Sequence, residues 1–319
     1  RRPATHTKLS MQRGDGAYIP VDLVDVYIDG VRHYAGSDGM PQNHRETARL
    51  FRLAADEGLP EAQISIAACF ATGMGVLQDL NETARYYRLA RDQGHAFAQY
   101  YTASVYATGE GVLQDLSECA RYLRLAADQG LDKAQLNIAC CLRDGSKGVA
   151  QTHCEAARFF RLAADQGIAD AQFSTGHYYA RGEGGLPQDH GSAIRYYRLA
   201  ADQSHVKASF NLACCYAKGN EGVAQSDTEA ARYYRLAADL GFAKAQLNVG
   251  HLSYKGQGVH VDHVVAARYF HLAADQGFPP SQFALGRIFD RGPPNGRVRA
   301  VRPARRGQAA GLSRAVRGG

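Results

Sequence analysis

Cysteine and histidine alternate along part of the chain at a constant separation of 37 residues, at Cys140, His177, Cys214 and His251. Thiolate and imidazole groups are preferred zinc ligands, so this spacing has to be considered as a metal site. His260 and His263 form a second, weaker histidine pair. Whether either set could hold a metal depends on the elements that carry these side chains.

Asparagine and lysine recur in the same register as these cysteines and histidines. Asparagine stands three residues before the Cys/His position, and lysine stands seven before it and four after it. The set comprises Asn137, Lys207, Asn211, Lys218, Lys244, Asn248, Lys255 and, one repeat later, Arg287. Because an amide both donates and accepts hydrogen bonds, it suits an extended peptide backbone. The cationic groups suit carboxylates, including a chain terminus.

Motifs of covalent and phosphoryl chemistry are missing from the sequence. It contains no G-x-S-x-G, no H-E-x-x-H, no Walker motif and no paired carboxylates near a histidine. Glycine-rich links such as Gly73–Asp79 have neither a preceding strand nor a lysine, so they are interpreted as turns. The sequence therefore predicts a protein that is not an enzyme, and it indicates no cofactor.

One phrase, of the form E-x-A-R-Y-Y-R-L-A-A-D-Q-G, returns seven times and organises the chain. Its aspartates are Asp56, Asp92, Asp128, Asp165, Asp202, Asp239 and Asp275, spaced 36 or 37 residues apart. Position numbers in each repeat are counted from this aspartate. Seven occurrences in fixed register predict a repeat protein.

The phrase ends a predicted helix, helix B, of 13 or 14 residues. Residues suited to an N-cap stand 13 positions before the aspartate: Asn43, Asp79, Asp115, Thr152, Asp189, Ser226 and Asp262. A glutamate follows three residues later in five repeats, which predicts a capping box. Gly58 and its equivalents suit a left-handed C-cap, and Ser204 replaces that glycine once.

A second helix, helix A, follows each of these glycines. Its positions 5, 9, 12 and 16 form a polar arc between apolar positions. The candidate peptide-binding residues all occupy this arc: the eight asparagine, lysine and arginine residues above, together with His177 and His251. The arc is neutral in the first complete repeats, with Glu61, Ser65, Ala68 and Thr72 and then Phe97, Tyr101, Ser104 and Thr108. It becomes positive over the last three. Because neighbouring helices pack about 8–10 Å apart, four repeats cannot place their Cys/His positions around one ion.

The repeats divide the chain into three parts. Residues 21–292 are predicted to form an all-α, right-handed superhelix of about seven helix hairpins and a final half repeat, without strands. The repeats end near residues 58, 94, 130, 167, 204, 241 and 277, and a weak first helix A is expected near Val24–Ala35. Residues 1–20 are predicted to be flexible, and the Arg-rich residues 293–319 to be disordered.

The combined motif, A-x-x-L/G-x-x-Y-x-x-G-x-G-V-x-x-D and then A-x-x-Y-Y-x-x-A-A-x-Q-G, resembles the Sel-one-like repeat family of tetratricopeptide-like proteins. It is clearest in Ala208–Gly241 and covers roughly residues 21–292. The resemblance implies an adaptor or scaffold that binds a partner protein, with helix A lining a concave face. The family's cysteine-rich branch bridges its helices regularly, and this chain lacks that pattern.

The distribution of charge along the chain bears on whether the protein binds nucleic acid. The net charge of +6 depends on eight arginines from Arg291 onwards, and without them residues 1–290 carry −2. The bulk of the chain therefore gives no reason to expect nucleic acid, although the tail leaves open a nucleic-acid or membrane-surface role.

No run of the sequence is apolar enough to span a membrane. Seven irregularly spaced cysteines favour a reducing compartment such as the cytoplasm, although Cys140 or Cys141 could face Cys154 across a hairpin.

Two repeated features of helix B have both a structural and a functional interpretation. Adjacent aromatic residues, such as Tyr86–Tyr87 and Phe159–Phe160, could stack bases, but their helical spacing favours core packing. An arginine seven residues before each aspartate could form a basic ridge, but a locally paired helix arginine is favoured.

Overall fold

The computed structural model describes residues 8–12, 18–37, 39, 41–109, 113–219 and 224–291. Two short strands, β1 (Lys8–Gln12) and β2 (Tyr18–Asp22), precede the helices and pair antiparallel. Residues 1–20, expected to be flexible, thus contain secondary structure, and β2 reaches residues 21 and 22 of the segment predicted to have no strands. From residue 23 to 291, every described element is a helix.

All fifteen described helices are 13 residues long. The A helices are α1 (Leu23–Ala35), α3 (Pro60–Thr72), α5 (Ala96–Thr108), α7 (Asp132–Asp144), α9 (Ala169–Arg181), α11 (Val206–Lys218), α13 (Ala243–Lys255) and α15 (Pro279–Arg291). The B helices are α2 (His44–Asp56), α4 (Leu80–Asp92), α6 (Leu116–Asp128), α8 (His153–Asp165), α10 (His190–Asp202), α12 (Asp227–Asp239) and α14 (His263–Asp275).

The chain forms two compact units, residues 1–205 and 206–319. Within each unit, consecutive helices pack on one another, which gives the all-α solenoid arrangement predicted from the repeats. Buried alanines, aromatics and aliphatic residues form the core between helices. The handedness of the superhelix stays a prediction, and residues 293–319 lie outside the described part of the chain.

The predicted N-caps of helix B are correct in position. In six of the seven, the cap side chain accepts a hydrogen bond from the first turn; Asn43 Oδ1, for example, accepts from Glu46 N at 3.1 Å. Thr152 is the exception, because its hydroxyl donates to Ala150 O instead. The glycine after each helix has positive φ, and Ser204 adopts the same left-handed conformation with φ 62°.

The capping box forms only in part, which corrects the prediction. The N–H of the cap residue already donates to a carbonyl near the end of the preceding helix A, as Asn43 N does to His33 O at 2.9 Å. The glutamates are therefore available to arginine. Glu46, Glu82, Glu118 and Glu229 pair with the arginine three residues later, and Glu155 pairs with Arg124 of the preceding helix B.

Asp115→Ala should lower the free energy of unfolding by about 0.5–2 kcal/mol, because Asp115 Oδ1 accepts from both Ser117 N and Glu118 N. Thr152→Ala is the matched control, since Thr152 occupies the same cap position without a cap bond. Urea unfolding of the two variants measures the difference. Equal losses would show that the cap hydrogen bonds contribute little.

Candidate functional site

The predicted polar arc is graded in accessibility. At positions 5 and 16, the lysines of α11 and α13 are exposed. At positions 9 and 12, the asparagines, cysteines and His177 are half-buried, and His251 is exposed. Asn137 and His177 belong to the first compact unit, whereas the other candidates belong to the second. The side chain of Arg287 lies outside the described residues.

In the first unit, the candidates are held by neighbouring aromatic groups. Asn137 Nδ2 donates to Tyr100 Oη of α5 at 3.0 Å, so one amide hydrogen is used between repeats. The His177 ring lies 6.5 Å, centroid to centroid, from Phe173. Burial, reinforced by Arg181, lowers the pKa of His177 below its usual value. The imidazole is therefore mainly neutral near pH 7 and adds no positive charge there.

In the second unit, one hydroxyl connects three helices. Tyr234 of α12 donates to Cys214 Sγ of α11 at 3.2 Å and has a side-chain hydrogen bond with Asn248 of α13. Burial, reinforced by the bond to Cys214, raises the pKa of Tyr234, so the hydroxyl keeps its proton. Tyr234 thereby fixes position 12 of α11 relative to position 9 of α13.

Four lysines border this connection. Lys207 and Lys244 lie in the first turns of α11 and α13, and Lys218 and Lys255 are the last residues of the same helices. The two positions on each helix are about 16 Å apart along its axis. Among the described residues, none of these four ammonium groups has an ion pair. The face therefore presents uncompensated positive charge on both sides of Asn211 and Asn248.

The cysteines and histidines of the arc do not assemble a metal centre in the described part of the chain. No group of three or more His, Cys, Asp or Glu side chains there could hold an ion. Burial raises the pKa of the Cys140 thiol, which disfavours the thiolate that zinc requires. All seven cysteines are free, and Cys154, expected as a possible partner of Cys140 or Cys141, is an exposed thiol.

The structural interpretation of helix B is confirmed for its aromatic residues. Tyr86, Tyr87, Phe159 and Phe160 are buried. In four repeats, an aromatic residue of the preceding helix A stacks on the tyrosine that stands six residues before the aspartate. The stacked pairs are Phe70–Tyr86, Tyr106–Tyr122, Tyr179–Tyr196 and Tyr216–Tyr233, with centroids 5.8 to 6.0 Å apart. These rings belong to the packing between helices A and B.

The recurring arginines of helix B are also engaged locally. Arg121 pairs with Glu118 at 2.7 Å, and its guanidinium lies 4.1 Å from the centre of the Tyr122 ring. Arg85 and Arg232 make the same two contacts in their repeats. Five of the seven arginines therefore have an acidic partner, which supports the structural interpretation for those five.

A ladder of glutamines between repeats was not anticipated from the sequence. A buried glutamine at position 7 of helix A accepts from the glutamine that follows the aspartate of the next repeat, at 2.8 to 3.0 Å. The pairs are Gln63–Gln93, Gln99–Gln129, Gln135–Gln166, Gln172–Gln203 and Gln246–Gln276. The recurrence of glutamine at these two positions of the repeat was the sequence signal that could have predicted the ladder. Their role is to join repeats, because they are directed into the stack.

One cavity of about 810 Å³ lies outside the arc. Arg52, Asp56, Glu82, Arg85 and Asp92 are among its lining residues, and Tyr86 Oη donates to Asp56 Oδ1 at 2.6 Å in its wall. None of the lining residues belongs to the arc. Its charged groups include the Arg85–Glu82 ion pair, at 2.9 Å.

Comparison with known proteins identifies the repeat. The Sel1 repeat matches seven consecutive segments, residues 27–59, 60–95, 96–131, 132–168, 169–205, 206–242 and 243–278. No curated protein matches the chain. Among the described residues, no helix is long and apolar enough to cross a membrane.

Two solved structures are similar over most of the chain. A protective antigen present in uropathogenic Escherichia coli strains, displaying an SLR fold, is 27% identical with a TM-score of 0.61, and the match covers 85% of this chain and 65% of the antigen. A Sel1 repeat protein from Oxalobacter formigenes is 26% identical with a TM-score of 0.59, covering 83% of this chain and 76% of that protein. Sequence repeats, helix pairs and both neighbours agree, and the chain belongs to the Sel1 repeat family.

Proposed function

We propose that this chain is a scaffold that binds an acidic segment, or the C-terminus, of a partner protein on the lysine-bearing face of α11 and α13. Sel1 repeat proteins generally act as protein–protein interaction scaffolds, typically without enzymatic activity. The observation that carries the proposal is the set of four lysines around Asn211 and Asn248 that have no ion pair within the described part of the chain.

The positions of these lysines favour a ligand over helix stability alone. Lys218 and Lys255 end their helices, where a positive charge is stabilised by the helix dipole, so stability explains them. Lys207 and Lys244 lie in first turns, where the same dipole disfavours a cation. At the same position, α3 and α9 hold an acid, Glu61 and Asp170, whereas α7 holds Lys133 beside Asp132. A negatively charged ligand would offset that cost.

The asparagines supply the polar contacts of the proposed site. Asn248 uses part of its amide on Tyr234, which fixes its orientation and leaves capacity for a peptide carbonyl or N–H. Asn211 stands at the same position on α11 and is half-buried. Lysines at both ends of the two helices would then contact carboxylates on either side of an extended segment.

Lys218→Glu combined with Lys255→Glu should weaken binding of a fluorescein-labelled peptide of alternating Glu and Ala by about tenfold or more, because rim charges act through long-range attraction. Fluorescence anisotropy at low and high salt measures the affinity and its salt dependence, and added salt should mimic the substitution in the unmodified chain. Amidating the peptide's C-terminus separates recognition of a terminus from recognition of side-chain carboxylates.

Arg88→Glu combined with Arg161→Glu is the control, since it makes the same change of charge at exposed helix B residues of the first unit, outside the arc. This variant should keep most of the affinity. If the Lys218/Lys255 reversal leaves both the affinity and its salt dependence unchanged, acidic partners dock elsewhere.

A further inference from the structure

The first helix extends the A-helix face, and its register can be established from packing. Gly30 of α1 lies against the Phe51 ring, so closely that an added Cβ would meet the ring Cε1 at 2.7 Å. Gly176 and Gly250 lie in the same way against Tyr197 and Phe270. All three glycines therefore occupy position 11, and Val24, Ile28 and Val31 occupy positions 5, 9 and 12 of the arc.

The arc in α1 is apolar, where the other A helices are mainly polar. Val24, Ile28 and Val31 are 43%, 39% and 41% exposed, and their spacing of four and three residues places them on one side of the helix. Three partly exposed aliphatic side chains in a row are typical of a surface that another segment covers. The sequence analysis did not anticipate this stripe, because it began the arc at the first complete repeat.

The stripe has an acidic border. Asp25 lies beside it on α1, and Glu61 occupies position 5 of α3. A hydrogen bond of 3.3 Å between Tyr27 Oη and Ser65 Oγ joins the two helices along this face. Among the described residues, neither Asp25 nor Glu61 has an ion pair, whereas Asp29 pairs with Arg32 at 2.9 Å. The face therefore suits a segment that combines aliphatic and basic residues.

One segment of this chain has that chemistry. Residues 293–319 carry seven arginines and no acidic residue, interleaved with Val298, Val301, Leu312 and Val316. We propose that residues 293–319 of a second copy bind the face formed by Val24, Ile28 and Val31 with Asp25 and Glu61. The helix α1 that bears this face and the helix α15 that precedes the segment belong to different compact units. A contact between two chains can form whatever the arrangement of the two units within each chain. Each chain would offer one face and one segment, which gives a head-to-tail association.

A fluorescein-labelled peptide of residues 293–319, titrated with the full chain, tests the contact by anisotropy. Ile28→Lys with Val31→Lys should reduce its affinity by about tenfold or more, because two apolar contacts become charged and repel the arginines. Asp25→Lys with Glu61→Lys should reduce it as well and should weaken its salt dependence. The second pair leaves the apolar stripe unchanged, so it remains informative if the first pair disturbs α1, which circular dichroism would reveal.

Leu77→Lys is the matched control, because Leu77 is 91% exposed and lies outside the face. It should leave peptide binding unchanged, which separates loss of this face from a general effect of an added lysine. Sedimentation velocity should show a mass that rises with protein concentration in the full chain and not in the Ile28/Val31 variant. A concentration-independent monomer, or a peptide that binds RNA but not this chain, would overturn the proposal.

Discussion

Replacing Gly75 with alanine is expected to lower the free energy of unfolding by about 3 kcal/mol or more. Gly75 has φ +73°, where an L side chain is strained, and it lies in the link between α3 and α4. A Cβ at this position would be 1.9 Å from the carbonyl oxygen of His44, the first residue of α2. The positive φ and the nearby carbonyl are both features of the backbone, so rotation of a side chain cannot relieve either of them.

Gly58→Ala is the control that separates conformational strain from collision. Gly58 also has positive φ, at +98°, but an added Cβ there has no atom within 4 Å. Its loss should be about 1 kcal/mol, the cost of placing alanine in the left-handed region. Urea unfolding of both variants, monitored by helical circular dichroism, gives the comparison. Equal losses would show that the link is free to move away from α2.

Gln166→Leu is expected to cost about 1–3 kcal/mol, because it removes the donor to two acceptors. Gln166 Nε2 donates to Gln135 Oε1 and to Gly130 O, each at 2.8 Å, and Gln135 is buried. Gln135→Ser should cost a similar amount through the lost acceptor and the cavity that it leaves.

A later junction between repeats of the same chain has other residues at both glutamine positions. At the equivalent two positions of a later junction, the residues are Ser209 and Leu240, so both glutamines are replaced together. Combining Gln135→Ser with Gln166→Leu should therefore cost less than the sum of the single changes, with a coupling of about 1 kcal/mol or more. Strict additivity of the unfolding free energies would show that the glutamines act independently.

Local signals explain why so much of the fold could be predicted. A cap such as Asp115 and a left-handed glycine such as Gly130 act within one turn of backbone, so their residue types report directly on helix ends. The repeat then multiplies each local signal seven times. The weak first helix was predicted near Val24–Ala35 from its alignment with the later repeats, and it is observed as Leu23–Ala35.

The candidate site could be predicted only as a set of positions. Helical periodicity placed Lys218 and Asn248 on one arc, but it could not show that Tyr234 holds Asn248 and Cys214 together. Nor could it show that Asn137 donates to Tyr100. These contacts join residues on different helices, and their existence depends on how the helices pack.

The sequence alone determined the helices, their ends, the period of the repeat and the family, because each follows from short-range backbone chemistry repeated in register. Only the tertiary structure decided which contacts polar groups make between helices. Glu46 pairs with Arg49, which lowers the pKa of the glutamate, because the preceding helix already satisfies the N–H that a capping box would use. The Gly75 link is confined by the backbone of the earlier helix α2, and the glutamines are directed into the stack between repeats. In each case, the packed neighbour that removes a group from water also determines what that group contacts.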